Sequence, residues 1–336
     1  MADVYVSPLG NGVYGVNIAI IRFSSLGDLV TLEPTFRALR HFYPDANITF
    51  ITSSIGRDLF KDSGYFDAFV IGKSKRDAFQ IAKKLRATRY DMVINLQSNT
   101  LSFLVQSLLK KERVVYKSKN FFQKYLKLPH KMKDLCETLL ACGIDAKRVE
   151  EYCAEPMHRR VLLPAKKQRL SQKKCIAIAP GSSPQWISKQ WGEEKFAQVI
   201  ERLIDEYEIV LIGAKAEEDM AKRLAARFGK LRNYVGKTNL QELKNLIASC
   251  DLFIGNDSGP TQIAAGVGTP VIAIFLSTST KHLEDIYTNT IVKFAPQIEC
   301  APCYKKRCPT NYECRDIIAV EKVVQTAKEL LGEACV

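Results

Sequence analysis

Asn17-Ile18-Ala19-Ile20-Ile21-Arg22-Phe23, then Ser24-Ser25-Leu26-Gly27 and Asp28, is the stretch whose reading decides the fold. The first seven residues form an apolar, isoleucine-rich run, the pattern of a strand covered on both faces. A small glycine-containing turn follows. Asp28–Tyr43 then carries Leu29, Leu32, Phe36, Leu39 and Phe42 at helical spacing, and Pro44-Asp45 ends that helix. A strand, a turn and a helix opening on an acid place Asp28 at the carboxyl edge of a sheet, where open α/β folds bind ligands. From position alone, Asp28 can equally cap the helix or complement its dipole.

The pattern repeats outward. Ile48–Thr52, Ala68–Ile71 and Met92–Asn95 read as further strands, with helices over Ile55–Asp62 and Lys75–Arg89. Residues 98–160 are helical in composition and basic. A boundary is expected near Pro164–Lys174. Strands then resume at Cys175–Ala179, Glu208–Ile212, Asn233–Val235, Leu252–Gly255 and Val271–Phe275. Helices are expected over Glu194–Glu206, Ala216–Phe228 and Leu240–Ser249, from Gly259 onward, and over Glu321–Leu331. The last is expected to pack back across the structure. This βαβ alternation implies parallel sheets. It divides the chain into two Rossmann-like domains, residues 1–165 and 166–336. Neither first strand is followed by GxGxxG, which argues against a dinucleotide dehydrogenase.

The chain's 336 residues suit two domains of average size. No apolar run reaches the roughly 18 residues of a membrane span. Met1–Asn17 lacks the basic and apolar regions of a secretory signal, so a cytoplasmic protein is expected. A net charge of +13 favours anionic partners: nucleic acid, an anionic membrane surface or phosphorylated substrates. Ten cysteines in such a chain suggest thiols or a metal site rather than a disulfide framework.

Two more segments follow strands. Ala179-Pro180-Gly181-Ser182-Ser183 precedes Lys189-Gln190-Trp191. Its backbone N–H groups can cradle phosphate oxygens, and Lys189 can supply a point charge. It can also be a plain surface loop. Gly255-Asn256-Asp257-Ser258-Gly259-Pro260-Thr261-Gln262 places proline at the first helical positions. That helix start is a ready anion site, or a well-capped structural helix.

Together, Ser25-Leu26-Gly27-Asp28, Pro180-Gly181-Ser182, Lys189-x-Trp191 and Asn256-Asp257-Ser258-Gly259-Pro260 resemble glycosyltransferase family nine, the ADP-heptose:lipopolysaccharide heptosyltransferases. The resemblance runs from Ile18 to Leu331 and is most specific in Asp-Ser-Gly-Pro with the following Ala264-Ala265-Gly266-Val267-Gly268-Thr269-Pro270. It implies a GT-B architecture, two facing Rossmann-like domains with a cleft between them. The N-terminal domain would take the acceptor and the C-terminal domain the nucleotide-sugar. It further implies an inverting, metal-independent transfer of heptose from ADP-heptose to a lipopolysaccharide inner-core acceptor. Asp28 is expected to be the general base. Lys189, Ser182, Ser183 and the turn of Ser258, Gly259, Pro260 and Thr261 are expected to hold the leaving diphosphate, with Gly27 and Asp257 lining the donor site. Glu217 and Thr238 fall in loops expected to hold the nucleoside, Glu217 on the ribose. Many family members have histidine where this chain has Gln262; a glutamine can only hydrogen-bond. Another nucleotide-sugar, a protein acceptor, or a non-catalytic GT-B binding module are the alternatives.

From Gln106 to Asp134, nine lysines and arginines face two acids. Lys110, Lys111, Arg113, Lys117, Lys119, Lys124 and Lys127, with Phe121, Phe122 and Tyr125 among them, read either as a solvated helical surface or as a patch for a phosphorylated glycolipid at the inner face of an anionic inner membrane. No nucleic-acid recognition module is present. Cys300-x2-Cys303-x4-Cys308-x5-Cys314 can hold tetrahedral zinc or iron as a structural site, or remain as free thiols.

Overall fold

The computed structural model describes residues 4–6, 15–74, 76–97, 99–116, 131–283 and 286–332. The chain divides into two compact units, Met1–Val161 and Leu162–Val336.

The first unit runs β1 (Val4–Val6), β2 (Asn17–Arg22), α1 (Leu26–Thr31), α2 (Glu33–Phe42), β3 (Asn47–Thr52), α3 (Ser54–Phe60), β4 (Ala68–Ile71), α4 (Asp77–Leu85), β5 (Tyr90–Asn95), α5 (Thr100–Leu108), β6 (Lys111–Tyr116), α6 (Lys131–Ala141) and α7 (Ala146–Ala154). Its sheet has the order β1-β4-β3-β2-β5-β6. Only β1 is antiparallel, pairing with β4. Ile18–Ile21 are fully buried in the central strand, as their unbroken apolar run requires.

Two sequence expectations change here. Asp28–Tyr43 is two helices. The chain breaks at Leu32, and Pro34 stands in the first turn of α2, where its missing N–H costs nothing. The segment 98–160 is not helical throughout. Lys111–Tyr116 is a parallel edge strand on β5, matching Val93 to Val114 and Ile94 to Val115. The β-branched pair Val114-Val115 suits a pleated surface, and the flanking charges suit a sheet edge.

The second unit runs β7 (Cys175–Ala179), α8 (Glu193–Leu203), β8 (Glu208–Leu211), α9 (Glu218–Arg227), β9 (Arg232–Asn233), α10 (Leu240–Ala248), β10 (Leu252–Asn256), α11 (Gly259–Gly266), β11 (Val271–Ile274), β12 (Ile291–Phe294), α12 (Cys314–Ile317) and α13 (Val320–Leu330). Its strands, in the order β12-β11-β10-β7-β8-β9, are all parallel. α13 is built into this unit's own core. Val323 and Ala327 are fully buried with residues of α8, and Lys328 pairs with Glu206 at 2.7 Å.

Both sheets reverse direction once. β2 lies between β3 and β5, and β7 lies between β8 and β10. At such a switch point, neighbouring loops diverge to opposite faces and leave a crevice at the strands' carboxyl ends. Asp28 follows β2. The Lys189 and Asp257 segments follow β7 and β10.

Candidate active site

In the first unit, Ser25 caps α1 and Asp28 occupies its third position. The Ser25 N–H and hydroxyl both donate to Asp28 Oδ2, at 3.1 and 2.9 Å. The Arg22 guanidinium, at the end of β2, sits 2.9 Å from the same oxygen. Burial lowers the Arg22 pKa, and the Asp28 charge opposes that effect. Arg22 also donates to the Leu96 carbonyl at 2.5 Å, and Gln97 accepts from the Phe23 N–H at 2.6 Å. The loop carrying Asp28 is thereby tied to the end of β5 across the switch point. The carboxylate is half exposed. Asp28 therefore does cap its helix, and the same contacts present it at the sheet's carboxyl edge. Gly27 is half-buried beside it.

In the second unit, one buried asparagine joins the two sequence segments. Asn256, at the end of β10, donates from Nδ2 to the carbonyls of Pro180 and Gly181 at 2.7 and 3.2 Å. Its Oδ1 accepts the Trp191 N–H at 3.0 Å. Trp191 is buried, and its indole N–H donates to the Arg315 carbonyl at 3.1 Å. Thus the tryptophan of Lys189-x-Trp191 anchors the loop, and Lys189 is the residue it displays. The Lys189 ammonium lies 2.7 Å from Asp257 Oδ2 and 5.1 Å from the Trp186 ring centre. Their side chains are 18% and 6% exposed, so this pair is shielded far more than an ordinary surface ion pair.

Asp257 stands two residues before α11. The Ser258 side chain makes no cap hydrogen bond to the α11 backbone; its hydroxyl lies 3.3 Å from that of Thr261. Thr261 donates to the Asn256 carbonyl. Gly259 and Pro260 are half-buried at the helix start, and Gln262 is buried and accepts from the Tyr287 hydroxyl. Burial, reinforced by the Asp257 charge, pushes the Tyr287 pKa far above its ordinary value, so this hydroxyl stays a donor. Ser182 is buried and donates to the Trp186 carbonyl at 3.3 Å, whereas Ser183 is exposed.

A cavity of about 240 Å³ adjoins this cluster, lined by Pro180, Gly181, Gln190, Glu217, Met220 and Arg223 among others. Glu217 accepts the Ala214 N–H at 2.6 Å. Two glycines make room for its carboxylate. A Cβ on Gly181 would stand 1.7 Å from Glu217 Oε1, and one on Gly213 2.4 Å from Oε2. Burial raises the Glu217 pKa, and the Ala214 N–H opposes that shift. Thr238 lies half-buried just before Asn239, the cap of α10. The loop ahead of it is tied to the one after β8 by the Gly236 N–H to Gly213 carbonyl bond of 3.1 Å.

The basic segment is only partly described. Lys117, Lys119, Lys124 and Lys127 lie outside the described residues. Lys110 is exposed. Lys111 donates to the Leu109 carbonyl at 3.1 Å, and Arg113 to the carbonyls of Ala141 and Cys142 at the end of α6. Both cations therefore serve local carbonyls, an interaction that the helix dipole favours at α6. Among the described residues, no helix is long and apolar enough to cross a membrane.

Cys300, Cys303 and Cys308 lie in the loop that leads into α12, whose first residue is Cys314. Cys314 is raised in pKa by burial and then by the other three thiols, while the Thr310 hydroxyl and backbone lower that of Cys308. Among the described residues, no three His, Cys, Asp or Glu side chains are gathered as a metal-ligand set. As placed, the four cysteines do not form the tetrahedral metal site that is one of their two readings. The loop instead braces Lys189. The Ser188 N–H donates to the Lys306 carbonyl at 3.2 Å, and Arg315 donates to the Ile187 carbonyl at 3.1 Å.

From sequence, Gln97, Ser188, Thr278 and Tyr287 were missed, and Arg22 and Asn256 stood in the deciding segments without a role. An asparagine ending an all-apolar strand was the available signal for Asn256. Gln97, Ser188, Thr278 and Tyr287 carry none, because their partners are remote in sequence.

Residues 78–313 match the family described as glycosyltransferase family 9 (heptosyltransferase). The chain belongs to that family. It is a glycosyltransferase. Among its relatives, lipooligosaccharide heptosyltransferase 2 of Campylobacter jejuni is 27% identical over 91% of this chain and 95% of that protein. The fold matches the structure of E. coli ADP-heptose lps heptosyltransferase II with a TM-score of 0.69 at 19% identity, over 94% of this chain and 98% of that one. It also matches the iron-containing dodecameric glycosyltransferase TibC of enterotoxigenic E. coli, with a TM-score of 0.60 at 16% identity, over 96% and 81%. Two parallel-sheet α/β units are the architecture of the GT-B family 9 enzymes.

Proposed function

We propose that this family 9 enzyme moves a heptose from ADP-heptose to an inner-core lipopolysaccharide acceptor, with inversion at the anomeric carbon. The observation that carries the reading is the Lys189–Asp257 pair just ahead of α11, beside a cavity that Glu217 helps to line. A cation next to a helix N-terminus suits a diphosphate. An acid that two glycines admit suits a ribose diol. The relatives named for lipooligosaccharide and ADP-heptose support this donor and this acceptor class.

In the reaction, Asp28 takes the proton of the acceptor hydroxyl as that oxygen attacks the anomeric carbon. The C–O bond to the diphosphate breaks on the opposite face, and negative charge grows on the leaving phosphate. Lys189 and the first N–H groups of α11, that of Thr261 included, stabilise that charge, with the Ser183 hydroxyl and the backbone N–H groups of Ser182 and Ser258 as further donors. Base and cation come from the chain itself, so the proposed step calls on no metal. Gln262 would contribute a hydrogen bond rather than a charge. Lys110, with Lys117, Lys119, Lys124 and Lys127, would meet the anionic acceptor at the membrane surface, at about 1 kcal/mol per cation.

Changing Asp28 to Asn tests the base. Loss of a positioned base costs about 10²–10⁴-fold in rate. The variant should bind ADP as the wild type does and fail in transfer, read by product mass. Unchanged transfer would remove Asp28 from the chemistry. An ADP-heptose that neither stabilises the enzyme nor donates its sugar, while another nucleotide-sugar does both, would replace the proposed donor.

A further inference from the structure

Four residues after β11 form an unusual loop. Phe275, Leu276, Ser277 and Thr278 are all at least 95% buried, although two carry hydroxyls and the segment is not in a sheet. Backbone and side chains fix it from several sides. The Phe275 N–H donates to the Phe294 carbonyl at 2.8 Å, and the Tyr304 N–H to the Ser277 carbonyl at 2.8 Å. The Ser188 hydroxyl lies 3.0 Å from that of Ser277 and also donates to the Lys305 carbonyl. The loop ends with the Thr278 hydroxyl donating to Asp257 Oδ2 at 2.6 Å. That oxygen is the one paired with Lys189 at 2.7 Å.

One carboxylate oxygen thus divides its charge between a neutral hydroxyl and an ammonium. Both bonds are charge-assisted, and the site is shielded from water, so each is stronger than its surface equivalent. A carboxylate deprived of the hydroxyl would draw more of its stabilisation from Lys189. The ammonium would then have less charge to offer an incoming anion.

We infer that Thr278 is a positioning residue for the donor site: through Asp257 it sets how much of the Lys189 charge is available to the diphosphate. The inference rests on the reading of Lys189 as a diphosphate ligand. It adds that the loop after β11, which carries none of the expected site residues, governs that ligand. Ser188 belongs to the same device. It is adjacent to Lys189 and contacts the loop directly, so the two strand-following segments hold the lysine from opposite ends.

The test is a double-mutant cycle on ADP affinity by titration calorimetry, with Thr278→Val, Lys189→Met and both changes together. Thr278→Val keeps the volume and removes the donor. It should weaken ADP roughly tenfold, the lower end for a hydrogen bond to a charged group. In transfer assays, KM for the donor should rise more than kcat falls. Thr278→Ser, which keeps the hydroxyl, should restore both. In the Lys189→Met background, Thr278→Val should change ADP affinity less than twofold. Equal losses with and without Lys189, or a Thr278→Val protein that is merely less heat-stable with wild-type ADP affinity, would overturn the inference and leave the donor site standing. A wild-type protein that binds no ADP would overturn the donor reading itself, and this inference with it. Should the valine variant not fold, Thr278→Cys keeps the volume with a weaker donor and takes its place under the same criteria.

Discussion

Replacing Lys189 by Met is the most informative perturbation of the site, because it acts on stability and function by separate routes. In the folded enzyme the lysine faces Asp257 at 2.7 Å, and the Asp257 side chain is only 6% exposed. Removing the cation takes the ammonium at 2.7 Å from a carboxylate that the Thr278 hydroxyl also holds at 2.6 Å. Breaking a buried ion pair from one side costs about 3–5 kcal/mol. Lys189 retains 18% exposure, which admits some solvent screening, so the lower end of that range is expected. A unit of this size shifts its midpoint by about 2–4 °C per kcal/mol, which gives a fall of roughly 6–12 °C in a thermal melt. Lys189→Met combined with Asp257→Asn removes the buried carboxylate charge as well and should recover about half of that loss. It should recover none of the lost ADP affinity and none of the lost transfer. The assay is differential scanning calorimetry of the four proteins of the cycle at neutral pH, beside ADP titration. A single mutant that melts within about 1 °C of wild type, or a double mutant no more stable than the single, would refute the view of Lys189–Asp257 as a coupled, shielded pair.

Three further outcomes follow from the same geometry. Burial raises the Glu217 pKa, so its charged form destabilises the fold. The relative stability is present below its unfolded pKa and lost as pH rises through the folded value. Glu217→Gln should therefore melt higher than wild type at neutral pH. The gain should vanish on acidification below about pH 4, where the unfolded glutamate is protonated as well. The same variant should bind ADP more weakly, and an equal melting gain at every pH would contradict the burial argument. Gly181→Ala would drive a methyl into Glu217 Oε1, at 1.7 Å in the present geometry, so ADP affinity should drop with little change in the spectroscopic signature of the first unit. Lys110→Glu should reduce sedimentation with phosphatidylglycerol vesicles and leave transfer to a soluble acceptor intact; unchanged sedimentation would take Lys110 out of the membrane patch.

The sequence carried the fold in its local patterns. The run Asn17–Phe23, its counterpart Cys175–Ala179 and the helices between them are periodic over lengths shorter than one element. Burial on both faces of a parallel sheet leaves that pattern directly in the residues. The chemical segments were legible for the same reason: a turn, an acid and a helix start lie within a few residues of one another. Two local errors had local causes. Pro34 split the first helix, and a strand with lysine, arginine and glutamate at its start hid Val114 and Val115 inside a basic stretch.

Tertiary structure alone decided what each site residue does. Asn256 joins a loop 76 positions away, Thr278 reaches an aspartate 21 positions before it, and Arg22 meets the end of a strand 74 positions later. These contacts depend on β7 and β11 lying on either side of β10 and on β2 lying beside β5. Strand order is settled by which crossovers bury the most apolar surface together, and no single segment encodes it. The sequence therefore named the lysine and the two aspartates and capped Asp28 locally through Ser25, while the packing of distant strands made a shielded charge pair of Lys189 and Asp257 and fixed Arg22, the cation beside Asp28, at the end of β5.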